Sequence, residues 1–104
     1  MKPRTLVVKS DGFPHVEKDP NAVLDYNWEW VDWLADMGAP SISSATVTVD
    51  AGLTKVGPEI LNGTLVTQII SGGTVGASYK ATCRVTTSSG LIDDRTIVLD
   101  IVES

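Results

Sequence analysis

The sequence predicts an all-β fold, an immunoglobulin-like antiparallel β-sandwich of about seven strands with a short helical turn near residues 30–37. Three observations support this prediction. Val, Ile and Thr supply 31 of the 104 residues, and β-branched side chains favour pleated, half-buried surfaces. Apolar and polar residues alternate in several short runs, which is the period of a strand. Turn signals separate these runs roughly every ten residues, a spacing typical of a sandwich.

The first 21 residues are predicted to form an N-terminal arm, and residues 22–104 the sandwich domain. A short apolar run could form a strand early in the arm, but Pro14 and Asp19-Pro20 then interrupt the chain. Two interpretations stay open. The run could pair within its own sandwich as a first edge strand, or the arm could dock in extended form on another protein chain. The docking interpretation assigns partner binding to the apolar residues of the arm: Leu6, Val7, Val8 and Phe13.

The segment after the arm alternates and then changes period. In the predicted strand 22–29, apolar residues from Leu24 to Trp28 alternate with the polar residues Asp25, Asn27 and Glu29, which predicts one buried face. The next apolar residues have the i, i+3, i+4, i+7 spacing of a helix face, and Gly38 follows as a C′ residue: Trp30, Trp33, Leu34 and Met37. Four aromatic residues within eight positions favour a sandwich core. Trp28 and Trp33 are the two that a partner surface could use.

Alternating patterns predict the remaining strands at about 43–49, 53–61, 64–70, 79–86 and 96–101. Asn62-Gly63 lies between two of them and predicts a type I′ hairpin turn, because both central residues of that turn have positive φ. The clearest alternation also predicts which side chains face the core and which face solvent. Those predicted to face inward are Tyr79, Ala81, Cys83 and Val85, and those predicted to face outward are Lys80, Thr82 and Arg84.

Composition excludes several classes of partner and site. The chain has eight Lys and Arg against thirteen Asp and Glu, a net charge of −5. Nucleic-acid and anionic membrane surfaces require clustered bases, so neither is an expected partner. Cys83 is the only cysteine, which excludes an intrachain disulfide and a thiolate zinc site. The apolar stretch near the N-terminus is too short for a signal peptide. We expect a domain without metal or cofactor, assembled in a reducing cytoplasm.

Each candidate for chemistry also has a structural explanation, which we favour. His15 is the only histidine and lies in the arm, where rigid support for catalysis is missing. Asp93–Arg95 is the densest charge cluster, but neighbouring residues on a strand point to opposite faces, so a solvated turn with a surface ion pair is expected. The glycine-rich stretch 71–76 lacks the dinucleotide fingerprint and precedes a strand instead of a helix. The sequence therefore predicts no enzyme activity and no catalytic residue.

A set of motifs runs from about residue 18 to residue 102: Lys18–Tyr26, Trp30, Trp33-Leu34, Ser44–Val49, Ser71–Thr74, Tyr79–Thr87 and Asp93–Thr96. Together these motifs resemble the fiber-tail adaptors, a family of small virion proteins of tailed bacteriophages. Glu29 stands where that pattern has Asp beside Trp30, which is a mild departure. Residues 1–17 lie outside the resemblance.

The resemblance implies a non-enzymatic, oligomeric component of a bacteriophage virion. Such a component joins a tail or baseplate to receptor-binding fibers, and its partners are other structural proteins of the phage. Two alternatives stay open. A capsid decoration protein with an immunoglobulin-like fold would attach at capsid lattice points, and a carbohydrate-binding module would stack sugars on exposed tryptophans. The position of the chain in an intact particle, or glycan binding by the isolated domain, distinguishes these functions.

Overall fold

The computed structural model describes residues 5–7, 13–39 and 41–103, and these residues form eight strands and one helix. In chain order the elements are β1 (Thr5–Val7), β2 (His15–Lys18), β3 (Leu24–Glu29), α1 (Val31–Met37), β4 (Ile42–Val49), β5 (Leu53–Asn62), β6 (Leu65–Gly72), β7 (Ser78–Thr87) and β8 (Ile92–Ile101). The all-β prediction is confirmed. The short helix is also confirmed, and Gly38 ends it with a left-handed φ of 63°.

The strands form two four-stranded sheets of a sandwich. Sheet A has the order β1-β3-β6-β5, and sheet B has the order β2-β8-β7-β4. Without β1 and β2, the two sheets have the B-E-D and G-F-C strand orders of an immunoglobulin constant-type domain. In that frame β1 lies next to β3 at the position of the first strand, although it runs parallel to β3, and β2 is an addition to the other sheet at the edge of β8.

Two strand pairings differ from the antiparallel arrangement that the sequence predicts. β1 runs parallel to β3, and β2 runs parallel to β8, whereas the other described pairings are antiparallel. β1 and β2 both pair with strands that do not follow them directly in the chain. No hairpin turn therefore fixes their direction, and a parallel pairing becomes accessible.

The described part of the arm lies in the sandwich. Thr5–Val7 forms one edge of sheet A, and His15–Lys18 forms one edge of sheet B. The edge-strand interpretation is therefore the one that the described residues show. The strand that the sequence did not predict is β2, because Pro14 and Pro20 suggested an interrupted segment. The division into an arm of residues 1–21 and a domain of residues 22–104 remains a prediction.

The core takes alternating side chains from both sheets. Tyr26 and Trp28 on β3 are fully buried, and Trp30 packs edge-to-face on Trp33 with 5.3 Å between ring centroids. On β7 the predicted alternation is confirmed. Buried residues of that strand include Ala81, Cys83 and Val85, with Tyr79 half-buried against the core, while Lys80 and Arg84 are exposed and Thr82 is half-buried.

The hairpin between β5 and β6 turns one residue later than predicted. Asn62 pairs with Leu65, so the two central residues are Gly63 and Thr64. Gly63 has a φ of 66°, and no described residue other than glycine has a positive φ. A positive φ followed by a negative φ matches a type II′ turn, which has Gly at its first central position, and excludes type I′.

A bulge interrupts β5 at the edge of sheet A. The pairing of β5 with β6 shifts register between Val56 and Ile60, and Gly57 in this bulge has a φ of 76°. The buried side chain of Gln68 donates from Nε2 to the Gly57 carbonyl at 3.0 Å, which ties the bulge to the sandwich interior. Pro58 follows and cannot donate a strand hydrogen bond. This edge is therefore irregular and resists pairing with another strand.

Candidate docking surfaces

The outer face of sheet A carries a group of exposed apolar side chains. Val56, Ile60 and Ile69 are 41%, 60% and 39% exposed, and Leu65 is half-buried beside them. Val56 and Ile69 are direct cross-strand partners. Ile60 lies on the next row of this face, opposite Thr67, and Leu65 lies one row further on, diagonal to Ile60. We call these four residues the outer patch. Contiguous exposed apolar groups mark interaction sites more often than isolated ones do.

The sequence did not indicate the outer patch, because β6 is apolar on both faces. Leu65 and Ile69 share one parity with Thr67, whereas Val66 and Ile70 share the other with Gln68, which is the more polar of the two intervening residues. Alternation alone would place the parity that contains Gln68 outside. The structure buries that parity, because the bulge of β5 supplies a backbone acceptor for the amide of Gln68.

Carboxylates flank the outer patch on β3. Asp25 and Glu29 lie on the outer parity of this strand, and Asn27 lies between them. Asn27 donates to Asp25 over 3.1 Å and accepts a hydrogen bond from the hydroxyl of Thr67 at 2.6 Å. A partner that covers this face therefore meets an apolar centre with negative charge on one side.

Phe13 adds an exposed aromatic ring on the outer face of sheet B. Its side chain is 59% exposed, and the ring centroid lies 5.8 Å from Nζ of Lys80, an outward residue of β7. The neighbouring Pro14 carbonyl accepts a hydrogen bond from the Val98 backbone N–H at 2.9 Å, which holds the segment against the sheet. The sandwich thus has accessible apolar groups on both of its outer faces.

Trp28 and Trp33, predicted as partner-binding residues, lie in the core. Their side chains are 1% and 8% exposed, so neither reaches a partner in this conformation, and the surface prediction for both is corrected. They are buried because the space between the sheets requires large side chains. Trp30 is buried as well, which removes the exposed tryptophans that a sugar-stacking platform needs.

The other predicted partner-binding residues belong to the arm. Leu6 and Val7 lie in β1 by their backbone, and Val8 lies outside the described residues. Phe13 is the one of this group whose side chain the structure describes as exposed. Partner binding by these four residues stays a prediction.

A carboxylate from sheet A closes part of the free edge of sheet B. β4 is an edge strand, and the backbone N–H of Val47 donates to Oε1 of Glu59 at 2.8 Å. Burial by itself raises the pKa of Glu59. Hydrogen bonds from its own backbone N–H, from Val47 and from Lys55 outweigh burial, so the pKa is lowered. The charged form is therefore favoured, and it occupies a position that a partner strand would need.

His15 does not form a catalytic arrangement with its neighbours. Its Nδ1 lies 2.9 Å from Oδ2 of Asp100, and Ser78 donates to the other carboxylate oxygen at 2.6 Å. The hydrogen bond from Ser78 and then that from His15 lower the pKa of Asp100. The Asp100 carboxylate thus lies between the Ser78 hydroxyl and the His15 imidazole. In a catalytic triad the imidazole lies in the middle and contacts the nucleophilic hydroxyl directly.

The Asp93–Arg95 cluster lies on β8, not in the predicted turn. Nε and Nη2 of Arg84 bind Asp94 in bidentate fashion at 2.8 and 3.0 Å, and Arg84 lowers the pKa of Asp94. Asp93 pairs separately with Arg95 at 2.9 Å. The two carboxylates are thus held by different guanidinium groups. Across the described ranges, no group of three or more His, Cys, Asp or Glu residues is placed to hold a metal ion.

The glycine-rich stretch after β6 uses its N–H groups within the fold. Gly73 donates to the Gly52 carbonyl, and Gly76 donates to the Ile101 carbonyl, both at 3.0 Å. A Cβ at Gly73 would lie 2.6 Å from Cδ1 of Ile101, so glycine permits close packing there. These N–H groups are not available to cradle an anion.

The fold of the described residues contains no helix that is long and apolar enough to cross a membrane. A comparison with protein-family models matches residues 18–100 to the family described as podophage GP4 fiber-tail adaptor protein gp77. A search of curated proteins finds no significant match. The family match covers both sheets from β3 onward, including the outer patch, and leaves β1 outside.

Proposed function

We propose that this chain, which belongs to the podophage GP4 fiber-tail adaptor family, docks receptor-binding fibers onto the tail or baseplate of a phage virion. In this proposal the chain is a non-enzymatic part and forms a homo-oligomer in the particle after assembly in the host cytoplasm. Its partners are other structural proteins of the phage. An adaptor of this kind needs two separate contact surfaces, one for each neighbour that it joins.

The observation that carries the proposal is the presence of accessible apolar groups on opposite faces of the sandwich. The outer patch lies on sheet A, with Ile60 as its most exposed member, and Phe13 lies on the outer face of sheet B. The centre of a protein interface is apolar and enriched in aromatic residues, so exposed groups of this kind are suited to contact with a partner. Two such surfaces on one small rigid domain allow it to bind two proteins at once.

The proposal is tested with one substitution on each face, a charged one on the outer patch and a truncation on sheet B. Ile60→Lys on the outer patch and Phe13→Ala on sheet B should each leave the unfolding temperature nearly unchanged, because both side chains are mostly exposed. In particles assembled in cells that supply only the variant chain, we expect each variant to break one of two links. One substitution should prevent incorporation into the tail, and the other should give tails that contain the chain but lack fibers.

Ala35→Lys is the matched control, because Ala35 is an exposed residue of α1 and the change adds the same charge away from both sheet faces. Particles with this variant should carry the chain and the fibers as the unchanged protein does. Normal fiber attachment with both Ile60→Lys and Phe13→Ala would contradict the proposal. Chain located by electron microscopy on the capsid lattice, away from the tail, would favour a capsid decoration protein instead.

A further inference from the structure

The edge of β3 differs from the other edges of the sandwich. β3 is an inner strand of sheet A only because β1 is added to it, and β1 precedes the residues that the family shares. β1 pairs with Asn27–Glu29 alone, over three residues. The edge of β3 can therefore pair with a short strand that belongs to another chain.

The edges on the opposite side of the sandwich are closed by their own side chains. The bulge and Pro58 disrupt β5, and Glu59 occupies the Val47 N–H on β4. Devices of this kind prevent pairing with other chains. On the other side of the sandwich the edge strands are β1 and β2. Strand exchange is therefore favoured on the β1 side.

The charge of the chain is divided unevenly between the N-terminal segment and the rest. Residues 1–12 contain three bases and one acid, a net charge of +2, whereas residues 13–104 contain five bases and twelve acids, a net charge of −7. Two sandwiches that pack side by side therefore repel each other. A basic segment that reaches from one copy to the edge of β3, near Asp25 and Glu29 of the next copy, offsets part of this repulsion.

We infer that in the assembled particle the N-terminal strand Thr5–Val7 of one copy pairs with β3 of a neighbouring copy. This inference deepens the proposed function and rests on it, because it requires a homo-oligomer. The exchanged strand makes the same backbone contacts as β1 makes within one chain, so exchange costs little in contacts. The equilibrium between pairing of β1 within its own chain and pairing with a neighbouring copy depends on the effective concentration of the neighbour. This concentration is high when the particle holds the copies side by side.

The experiment uses a disulfide between paired positions of β1 and β3. Val7 and Glu29 are Cα partners in the parallel ladder, and neighbouring strands lie at a separation that a disulfide spans. The chain is produced with both Val7→Cys and Glu29→Cys and assembled into particles, which are oxidised and run on a non-reducing gel. Cys83 is fully buried and stays out of the reaction. Exchange predicts covalent multimers of the chain.

A single internal disulfide in a monomeric band would overturn the inference, and so would a covalent link to a different protein. Particles with either single substitution are the control and should give no multimer ladder. The pair Thr5→Cys and Asn27→Cys, which are also Cα partners, repeats the test if the first variant does not fold. If the unchanged chain is absent from purified particles, the proposed function fails. If the chain is present but internally linked, only strand exchange fails.

Discussion

One buried polar residue, Lys18, links the two sheets near the N-terminal end of the sandwich. The side chain of Lys18 on β2 is 2% exposed, and its Nζ donates to the Gly72 carbonyl at 2.7 Å and to the Asp19 carbonyl at 2.9 Å. Burial lowers the pKa of this ammonium, although the charge of Asp19 opposes the shift. Because Gly72 belongs to sheet A, the lysine links the edge of one sheet to the other. Lys18 is therefore a structural residue of the sandwich.

At alkaline pH, we expect the free energy of unfolding to fall less steeply with rising pH in Cys83→Ala than in the unchanged protein. Burial raises the pKa of the Cys83 thiol from its ordinary value of 9.0 to about 12. Between these values the unfolded chain has lost the thiol proton and the folded chain keeps it. The unfolded state then holds fewer protons, so this group makes the free energy of unfolding fall as pH rises, by up to about 1.4 kcal/mol per pH unit.

The measurement is urea unfolding of both proteins from pH 8 to pH 10.5. The lowered pKa of Lys18 acts in the opposite direction, because the unfolded chain holds that proton longer, but both proteins contain Lys18. The difference between the two curves therefore isolates the thiol. An identical alkaline slope for the unchanged protein and the alanine variant would show that the thiol is accessible to ionisation in the folded state.

Sequence patterns predict the direction of a side chain where one face is clearly polar. The inward residues of β7 were predicted correctly because Lys80 and Arg84 mark its outer face. On β6 the two faces are almost equally apolar, and the choice between them depends on the contact of Gln68 with the bulge at Gly57. That contact joins residues of two strands, so a local pattern contains no information about it.

At the scale of elements, the β5–β6 hairpin gives a sharp test of its turn type. Gly63 has a positive φ and Asn62 does not. We expect Gly63→Ala to lower the free energy of unfolding by roughly 1–2 kcal/mol, because alanine is strained in the left-handed region. Asn62→Ala should change it by less than about 0.5 kcal/mol. Chemical denaturation of both variants is the measurement, and equal losses would support the type I′ turn instead.

The protected edge of β4 gives a second test at this scale. Glu59→Ala removes the acceptor of the Val47 N–H and the partner of Lys55, so we expect a loss of about 1–2 kcal/mol and faster aggregation. Glu59→Gln keeps an acceptor and should lose less. The lowered pKa of Glu59 adds stability that is present above its ordinary pKa of 4.5 and is lost as pH falls through the folded value.

Unfolding and light scattering at pH 7 and pH 4 measure both effects of Glu59. The acid-side loss should be smaller in Glu59→Gln than in the unchanged protein, since the glutamine does not titrate. Glu17→Gln serves as a control of equal charge change on another edge strand. Unchanged aggregation of Glu59→Ala would show that the carboxylate does not protect the β4 edge.

At the scale of the whole molecule, the sandwich class follows from composition and periodicity, but the role of the N-terminal segment does not. The sequence separates residues 1–21 as an arm because prolines interrupt them. The fold places Val16 against the core and buries Lys18, and both contacts depend on β8 and β6, far along the chain. Long-range parallel pairing leaves no local signature, so β2 could not be predicted from the segment itself.

Two truncations test where the folded unit begins. Removal of residues 1–12 keeps β2, so we expect a folded sandwich that has lost only the short ladder of β1, a change of about 1–3 kcal/mol. Removal of residues 1–21 also deletes Val16 and Lys18 and exposes the edge of β8. That loss should reach about 3 kcal/mol or more, enough to unfold a marginally stable domain. Thermal unfolding by circular dichroism distinguishes the two variants, and equal midpoints for residues 22–104 and the full chain would place the boundary at residue 22.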